Sequence, residues 1–263
     1  MKILFIGLGH MGSALIKGIN RENNEHQVYG YHYDDNKLKI LAKELNIKPF
    51  NDLTKIKKQE FDVIFLGVRV PVMPEVIKNL DKNDLGKTII ISMASGYAIQ
   101  KISSGFSNNK NLTIIRIMPN INANYQRSTT GITLIEDKKI ETNIVKLLEK
   151  CGSVFLINEE EFSNFTIAAG CMPAYALTYV NEFQKAVIAN GMDSQKAKEI
   201  LIDTFIQTLE SWKLTQNSAE SIINAISVSG GVTIEALKVF KKNNLEKTIA
   251  EAYEAAIHKD KNH

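Results

Sequence analysis

Along the first 157 residues, short β-branched apolar runs at 2–6, 27–32, 62–67, 88–92, 112–117, 131–135 and 153–157 alternate with stretches of helical character. Strands separated by helices predict a parallel sheet covered on both faces. The runs Val63-Ile64-Phe65-Leu66 and Ile89-Ile90-Ile91 are continuously apolar, the pattern of central strands with no solvated side. From about Asn158 the β-rich runs stop and helical periodicity continues to the end. Starting at Asp193, the positions Ala197, Ile200, Leu201, Thr204, Phe205, Thr208, Leu209 and Trp212 recur at intervals of three and four, one apolar or small stripe on a long helix. Another helix is predicted over 173–190, opened by Pro173 and stopped at Asn190-Gly191. Its Tyr175, Leu177, Tyr179, Val180, Phe183 and Val187 cover more than one face, so the helical part is expected to pack against another copy of itself. The chain therefore divides into an α/β domain over 1–157 and a helical domain over 158–263, joined without a long linker.

Composition narrows the function classes. Of 263 residues, 44% are hydrophobic and 23% charged, as in ordinary folded globular proteins. Lys and Arg number 32 against 29 Asp and Glu, and the two signs are interspersed, which argues against nucleic acid or a polybasic membrane surface as partner. The cysteines, Cys151 and Cys171, stand too far apart for a disulfide framework and lack other ligands at metal spacing, so neither a disulfide nor a metal site is expected. They read as small hydrophobes of a reducing compartment, and a cytoplasmic location is expected. The longest apolar runs, 61–68 and 88–93, fall short of the roughly 18 residues that span a bilayer, so no transmembrane segment is expected. The start has the outline of a signal peptide, but Gly7, Gly9, His10 and Gly12 break its apolar region, and a strand ending in a glycine turn explains it better.

That turn, Gly7-Leu8-Gly9-His10-Met11-Gly12, comes directly after the first strand and opens a helical stretch over 13–20. In this setting Gly7 permits the tight turn, Gly9 lets a pyrophosphate approach the backbone, and Gly12 lets helix and strand pack closely. The helix N-terminus, with His10 and Met11, offers amide groups and partial positive charge to phosphates. Cofactor choice falls to the end of the second strand, where Asp34 and Asp35 suit the ribose hydroxyls of NAD, while His32 and Lys37 suit the 2′-phosphate of NADP. The same acids also suit a helix start, so NADH and NADPH both stay open. Two further segments lie at carboxyl ends of strands, Gly67-Val68-Arg69 and Met118-Pro119-Asn120. Finally, Ser227 to Thr233 contains Gly230-Gly231 ahead of a predicted helix over 234–241. Adjacent glycines there expose backbone N–H groups to a carboxylate, and Thr233 offers a hydroxyl.

Taken in order, these segments resemble the pyrroline-5-carboxylate reductase family over nearly the whole chain. The likeness rests on Phe5 to Gly12, Asp62 to Arg69, Ser92-Met93-Ala94-Ser95-Gly96, Arg116 to Asn120, Gly170 to Tyr175 and Gly230-Gly231-Val232-Thr233. The resemblance implies a Rossmann-type doubly wound sheet followed by an all-helical dimerisation domain, and reduction of a cyclic imine carboxylate by NADPH or NADH. It implies a homodimer or higher homo-oligomer with a small-molecule imine substrate. By the same resemblance, Asn51 touches the adenosine ribose, Val68, Arg69 and Asn120 lie on the cofactor, with Asn120 at its nicotinamide end, and Gly230, Gly231, Val232 and Thr233 bind the substrate, with Thr233 at the imine nitrogen. The chain departs from the family at Ala169-Gly170-Cys171-Met172, where the family has Ser-Gly-Ser-Gly, and at Val228-Ser229, Ile121-Asn122 and Arg69-Val70. Those changes bear on which imine is reduced.

The turn also resembles that of β-hydroxyacid dehydrogenases, which need a lysine in the first long helix after the sheet domain to manage an alcohol proton. From Ala168 to Asn181 there is none, which favours an imine over a carbonyl. A catalytically silent nucleotide-binding dimer is the reading from another class, and turnover with cyclic imines separates the two.

Overall fold

In the computed structural model, which describes residues 1–21, 25–57 and 60–261, two compact units are present, Met1–Pro173 together with Ile257–His263, and Ala174–Ala256. The first unit runs β1 (Lys2–Ile6), α1 (His10–Asn20), β2 (Gln27–Tyr31), α2 (Asp35–Glu44), β3 (Lys48–Pro49), β4 (Val63–Leu66), α3 (Met73–Leu80), β5 (Ile89–Ser92), α4 (Ile99–Ser103), β6 (Ile114–Met118), β7 (Ser128–Thr133), α5 (Lys138–Glu149), β8 (Gly152–Ile157) and α6 (Phe162–Phe165). A π-helical turn, Thr166–Cys171, comes next. The remaining helices are α7 (Met172–Ala189), α8 (Ser194–Lys213), α9 (Ala219–Ile226), α10 (Val232–Lys242) and α11 (Leu245–Lys261).

The strands form one sheet in the order β3-β2-β1-β4-β5-β6-β7-β8, and its first six positions are those of a Rossmann-type sheet. Alternate side chains of each central strand enter opposite cores. Ile3 and Phe5 pack with Leu15, Ile16 and Ile19 of α1 and with Leu147 and Leu148 of α5, while Leu4 and Ile6 pack with Met73, Val76, Ile77 and Leu80 of α3. Burial on both faces explains the unbroken apolar runs. Phe5 and Phe65, paired across β1 and β4, stack with ring centroids 4.4 Å apart. Cys151 is fully buried beside α1, with its Sγ donating to the Leu15 carbonyl at 3.6 Å, and burial pushes its thiol up to about 12.

Two features depart from the sequence reading. The sheet is not wholly parallel, because β7 pairs antiparallel with β6. The link between them is nine residues, 119–127, short of the dozen or so that a parallel crossover requires. The other feature is β3, whose two residues carry a proline and no β-branched pattern.

Strands end at Ile157, yet the compact first unit continues to Pro173. The reason is packing: Phe162 is almost wholly buried, and the Phe165 ring fills the place where a Cβ on Gly131 of β7 would stand. In the second unit Gly191, at φ +96°, ends α7 in the left-handed conformation that favours glycine. Among the described residues, α7, α9 and α10 bury no side chain and α8 buries only Ala197.

Candidate nucleotide and substrate sites

The loop from β1 to α1 is built from three glycines with different reasons to be glycine. Gly7 has φ +98°, and a Cβ there would come within 2.6 Å of the Gly67 carbonyl oxygen. A Cβ on Gly12 would collide with the Gly7 carbonyl oxygen, so this glycine lets α1 close onto the turn. Gly9 has extended backbone at φ −73° and ψ −172°, and a Cβ on it would meet nothing within 4 Å. Nothing in the chain's own packing requires glycine there. The open space beside it is what a pyrophosphate needs to reach the backbone.

Gly9 is also the N-cap of α1 and supplies no side-chain cap, and no acidic residue stands in the first turn. The first amides of α1 are left to an outside acceptor, with the helix dipole adding partial positive charge. A cleft of about 540 Å³ opens at the carboxyl ends of β1, β2 and β4, lined among others by Gly7, Gly9, His32, Tyr33, Val68 and Arg69. These features fit a dinucleotide. His10 is exposed and Met11 half-buried at the start of α1, and His10 lines a neighbouring cleft between α1 and α2. Asn51 is exposed in the loop after β3 and does not line the 540 Å³ cleft.

At the end of β2 the ambiguous acids have local work. Asp34 caps α2, its Oδ1 accepting from the amides of Asn36 and Lys37 at 2.9 and 3.1 Å, and these bonds hold its carboxyl below the usual range. Asp35 is the first residue of α2. His32 Nδ1 lies 3.0 Å from the Asp34 amide and 3.3 Å from the Asp34 carbonyl oxygen, which fixes the ring over the start of α2. Its ring stacks on that of Tyr33, which is 82% exposed.

Asn120 is 3% exposed and both ends of its side chain are engaged. Nδ2 donates to the Ala169 carbonyl at 3.0 Å, and Oδ1 accepts from the Asn122 amide at 3.1 Å. The side chain thus ties the end of β6 to the π turn, a role that proximity in sequence to the strand end gave no sign of. The π turn carries Ala169 and Cys171, two of the positions where the chain departs from the family pattern, and such turns concentrate at functional sites.

In the second unit Gly230 adopts φ +76° and Gly231 is the N-cap of α10, again without a side-chain cap. The Gly231 amide is spent on the Val228 carbonyl at 3.0 Å, so that one of the two glycine amides is not left for a carboxylate. α10 starts at Val232, two residues before the predicted start, which places Thr233 inside that turn. Thr233 is exposed, and no hydrogen bond engages its hydroxyl among the described residues.

Comparison with known proteins decides the family. Residues 159–263 match the family model for pyrroline-5-carboxylate reductase dimerisation, and residues 2–96 match that for NADP oxidoreductase, coenzyme F420-dependent. The solved 1-pyrroline-5-carboxylate reductase of Streptococcus pyogenes is 30% identical, with a TM-score of 0.89 over 100% of this chain and 99% of that one. The chain belongs to the pyrroline-5-carboxylate reductase family. Pyrroline-5-carboxylate reductase 2 of Bacillus subtilis is 28% identical over 96% of this chain and 91% of its own length. The reductase of Aquifex aeolicus is 26% identical over 99% and 97%. A Plasmodium falciparum pyrroline carboxylate reductase, solved with NADP bound, shares the fold at 23% identity and a TM-score of 0.89. Family membership makes the chain an NAD(P)H-dependent oxidoreductase, and its dimerisation domain makes it a homo-oligomer. Among the described residues, no helix is long and apolar enough to cross a membrane.

Proposed function

We propose that this protein reduces a cyclic imine carboxylate, 1-pyrroline-5-carboxylate, to proline, as a cytoplasmic homodimer that uses NADPH. The observation that carries the reading is the loop ahead of α10, where a helix start without a side-chain cap leaves amides for a carboxylate and Thr233 presents an unengaged hydroxyl in the same turn. When bound, the dinucleotide supplies the hydride. Gly9 gives its phosphates access to the backbone, and the first amides of α1 hold them. The Thr233 hydroxyl donates to the lone pair that develops on the ring nitrogen as hydride addition turns iminium into amine, an interaction made only toward the transition state. No general acid is required for a protonated imine, which agrees with a first long helix whose earliest lysine, Lys185, is held 2.6 Å from Glu182.

NADPH is favoured over NADH by the end of β2, where the Asp34 Oδ1 is spent on the α2 cap and both His32 and Arg69 line the cleft. The NADP of the Plasmodium falciparum relative agrees. Steady-state oxidation of NADPH and NADH with pyrroline-5-carboxylate, and with six-membered and sulfur-containing cyclic imines, tests both parts. The expected result is the highest kcat/KM for NADPH with pyrroline-5-carboxylate. Nucleotide binding without turnover on any imine would replace the enzyme by a sensor.

A further inference from the structure

A cluster of buried charge in the first unit has so far no role. Arg116 on β6 is 5% exposed, its Nη1 donating to Glu159 Oε1 at 3.1 Å and its Nη2 to the Ala94 carbonyl at 3.3 Å. Its guanidinium lies 3.6 Å from the centroid of the Phe162 ring. Asp260, in the last turn of α11, is 6% exposed and accepts through Oδ1 from the Ser95 hydroxyl, while its Oδ2 is buried without a partner. Asp260 is close enough to Arg116 to favour the guanidinium charge. A carboxylate at a helix C-terminus opposes the helix dipole, and burying it adds the cost of desolvation.

What this costly group holds is the loop 93–98 after β5. The Ala94 amide donates to Ser92 Oγ at 3.2 Å, the Ala94 carbonyl accepts from Arg116, and Ser95 donates to Asp260. The same loop carries Met93, whose Cε lies within 2.6 Å of where a Cβ on Gly67 would stand, and the Gly67 carbonyl in turn abuts Gly7. A continuous path of contacts runs from the last turn of the chain to the floor of the nucleotide cleft. We infer that Asp260 is a positioning residue of the nucleotide site, fixing loop 93–98 through Ser95 and thereby the seating of Met93 against Gly67. The inference rests on the cleft beside Gly9 being the dinucleotide site and is independent of which imine is reduced.

The test is calorimetric titration of NADP⁺ into the full-length oligomer, for Asp260→Ala, Ser95→Ala, the double variant and Ser95→Thr, with melting temperatures recorded alongside. Each alanine variant is expected to weaken binding about five- to tenfold, the scale of coupling between separated groups. The double variant is expected within about twofold of either single one, because both remove the same link. Ser95→Thr keeps the hydroxyl and should restore native affinity. Should Asp260→Ala fail to fold, Asp260→Asn keeps the volume and should still cost about threefold through the lost charge on the hydrogen bond. Lower melting temperatures with unchanged affinity would overturn the inference, as would losses that multiply in the double variant. Gly9→Val serves as the control for the cleft: native affinity there would show that the nucleotide lies elsewhere, whatever Asp260 does.

Discussion

In the first unit Ile6, Ile64, Phe65 and Leu66 are completely buried, whereas along α8 of the second unit Ile200, Ile206, Leu209 and Trp212 are 44–53% exposed. Both regions contain apolar side chains at the spacing their secondary structure demands, but only one of them has an inside. The sheet closes two cores between its own helices. The helices of the second unit leave large apolar faces uncovered, and contiguous patches of that kind mark surfaces built for a partner. For the family's dimerisation region, the partner is another copy of the chain. The difference bears on stability: the first unit draws on intramolecular burial, and the second is expected to gain stability with protein concentration.

The sharpest way to break this contrast is to place charges on the exposed face of α8. Ile206→Asp with Leu209→Asp should turn the oligomer into monomers and unfold the second unit, while the first keeps its structure. Sedimentation velocity would show the fall in mass, and circular dichroism the loss of helix. An unchanged mass would mean that this face does not carry the association.

Next in size is Gly9→Val, which should abolish dinucleotide binding and leave the melting temperature near that of the native protein, since its Cβ meets only open space. Titration calorimetry beside thermal melting gives both readings. A branched residue at Gly12, where the Gly7 carbonyl is in the way, should lose stability as well.

Phe65→Ala sharpens the comparison from the side of the first unit. Removing a fully buried, stacked ring should cost about 3–5 kcal/mol by denaturant unfolding, with no change in oligomer mass. The smallest effect is expected at Thr233→Val, which keeps the shape and removes the hydroxyl. Loss of one hydrogen bond made in the transition state should cost about 1–3 kcal/mol, or roughly ten- to a hundredfold, chiefly in kcat rather than KM. Native turnover would leave loop 227–233 as a carboxylate site alone.

Much of this architecture was legible in the pattern of side chains, because burial on two faces writes continuous apolar runs and a glycine turn after a strand has a physical reason at each position. The direction of β7 was not read from its composition, although the shortness of the segment before it carries that information. The end of the first compact unit was hidden for a different reason. Phe162 and Phe165 share the helical pattern of the second unit, and only their burial against the sheet assigns them to the first. At the site, Gly7, Gly9 and Gly12 were readable because each has a spatial reason to be glycine: a left-handed turn at Gly7, a close approach at Gly12 and room for a ligand at Gly9. Asp34 was not, since a cap and a ribose ligand call for the same carboxylate. Arg116 and Asp260 lie far apart in sequence, and a single buried polar residue leaves no periodic trace.

Cys151 turns the packing of the first unit into something that can be timed. A thiol held near 12 by burial forms almost no thiolate at neutral pH, so alkylating reagents pass it by while the fold is closed. Each opening of the space between α1 and the sheet exposes it for the duration of that opening. In a chain where the half-buried Cys171 has been replaced by serine, the slow uptake of a thiol reagent becomes a clock inside the sheet domain, counting its fluctuations without regard to whether the helices have found their partner.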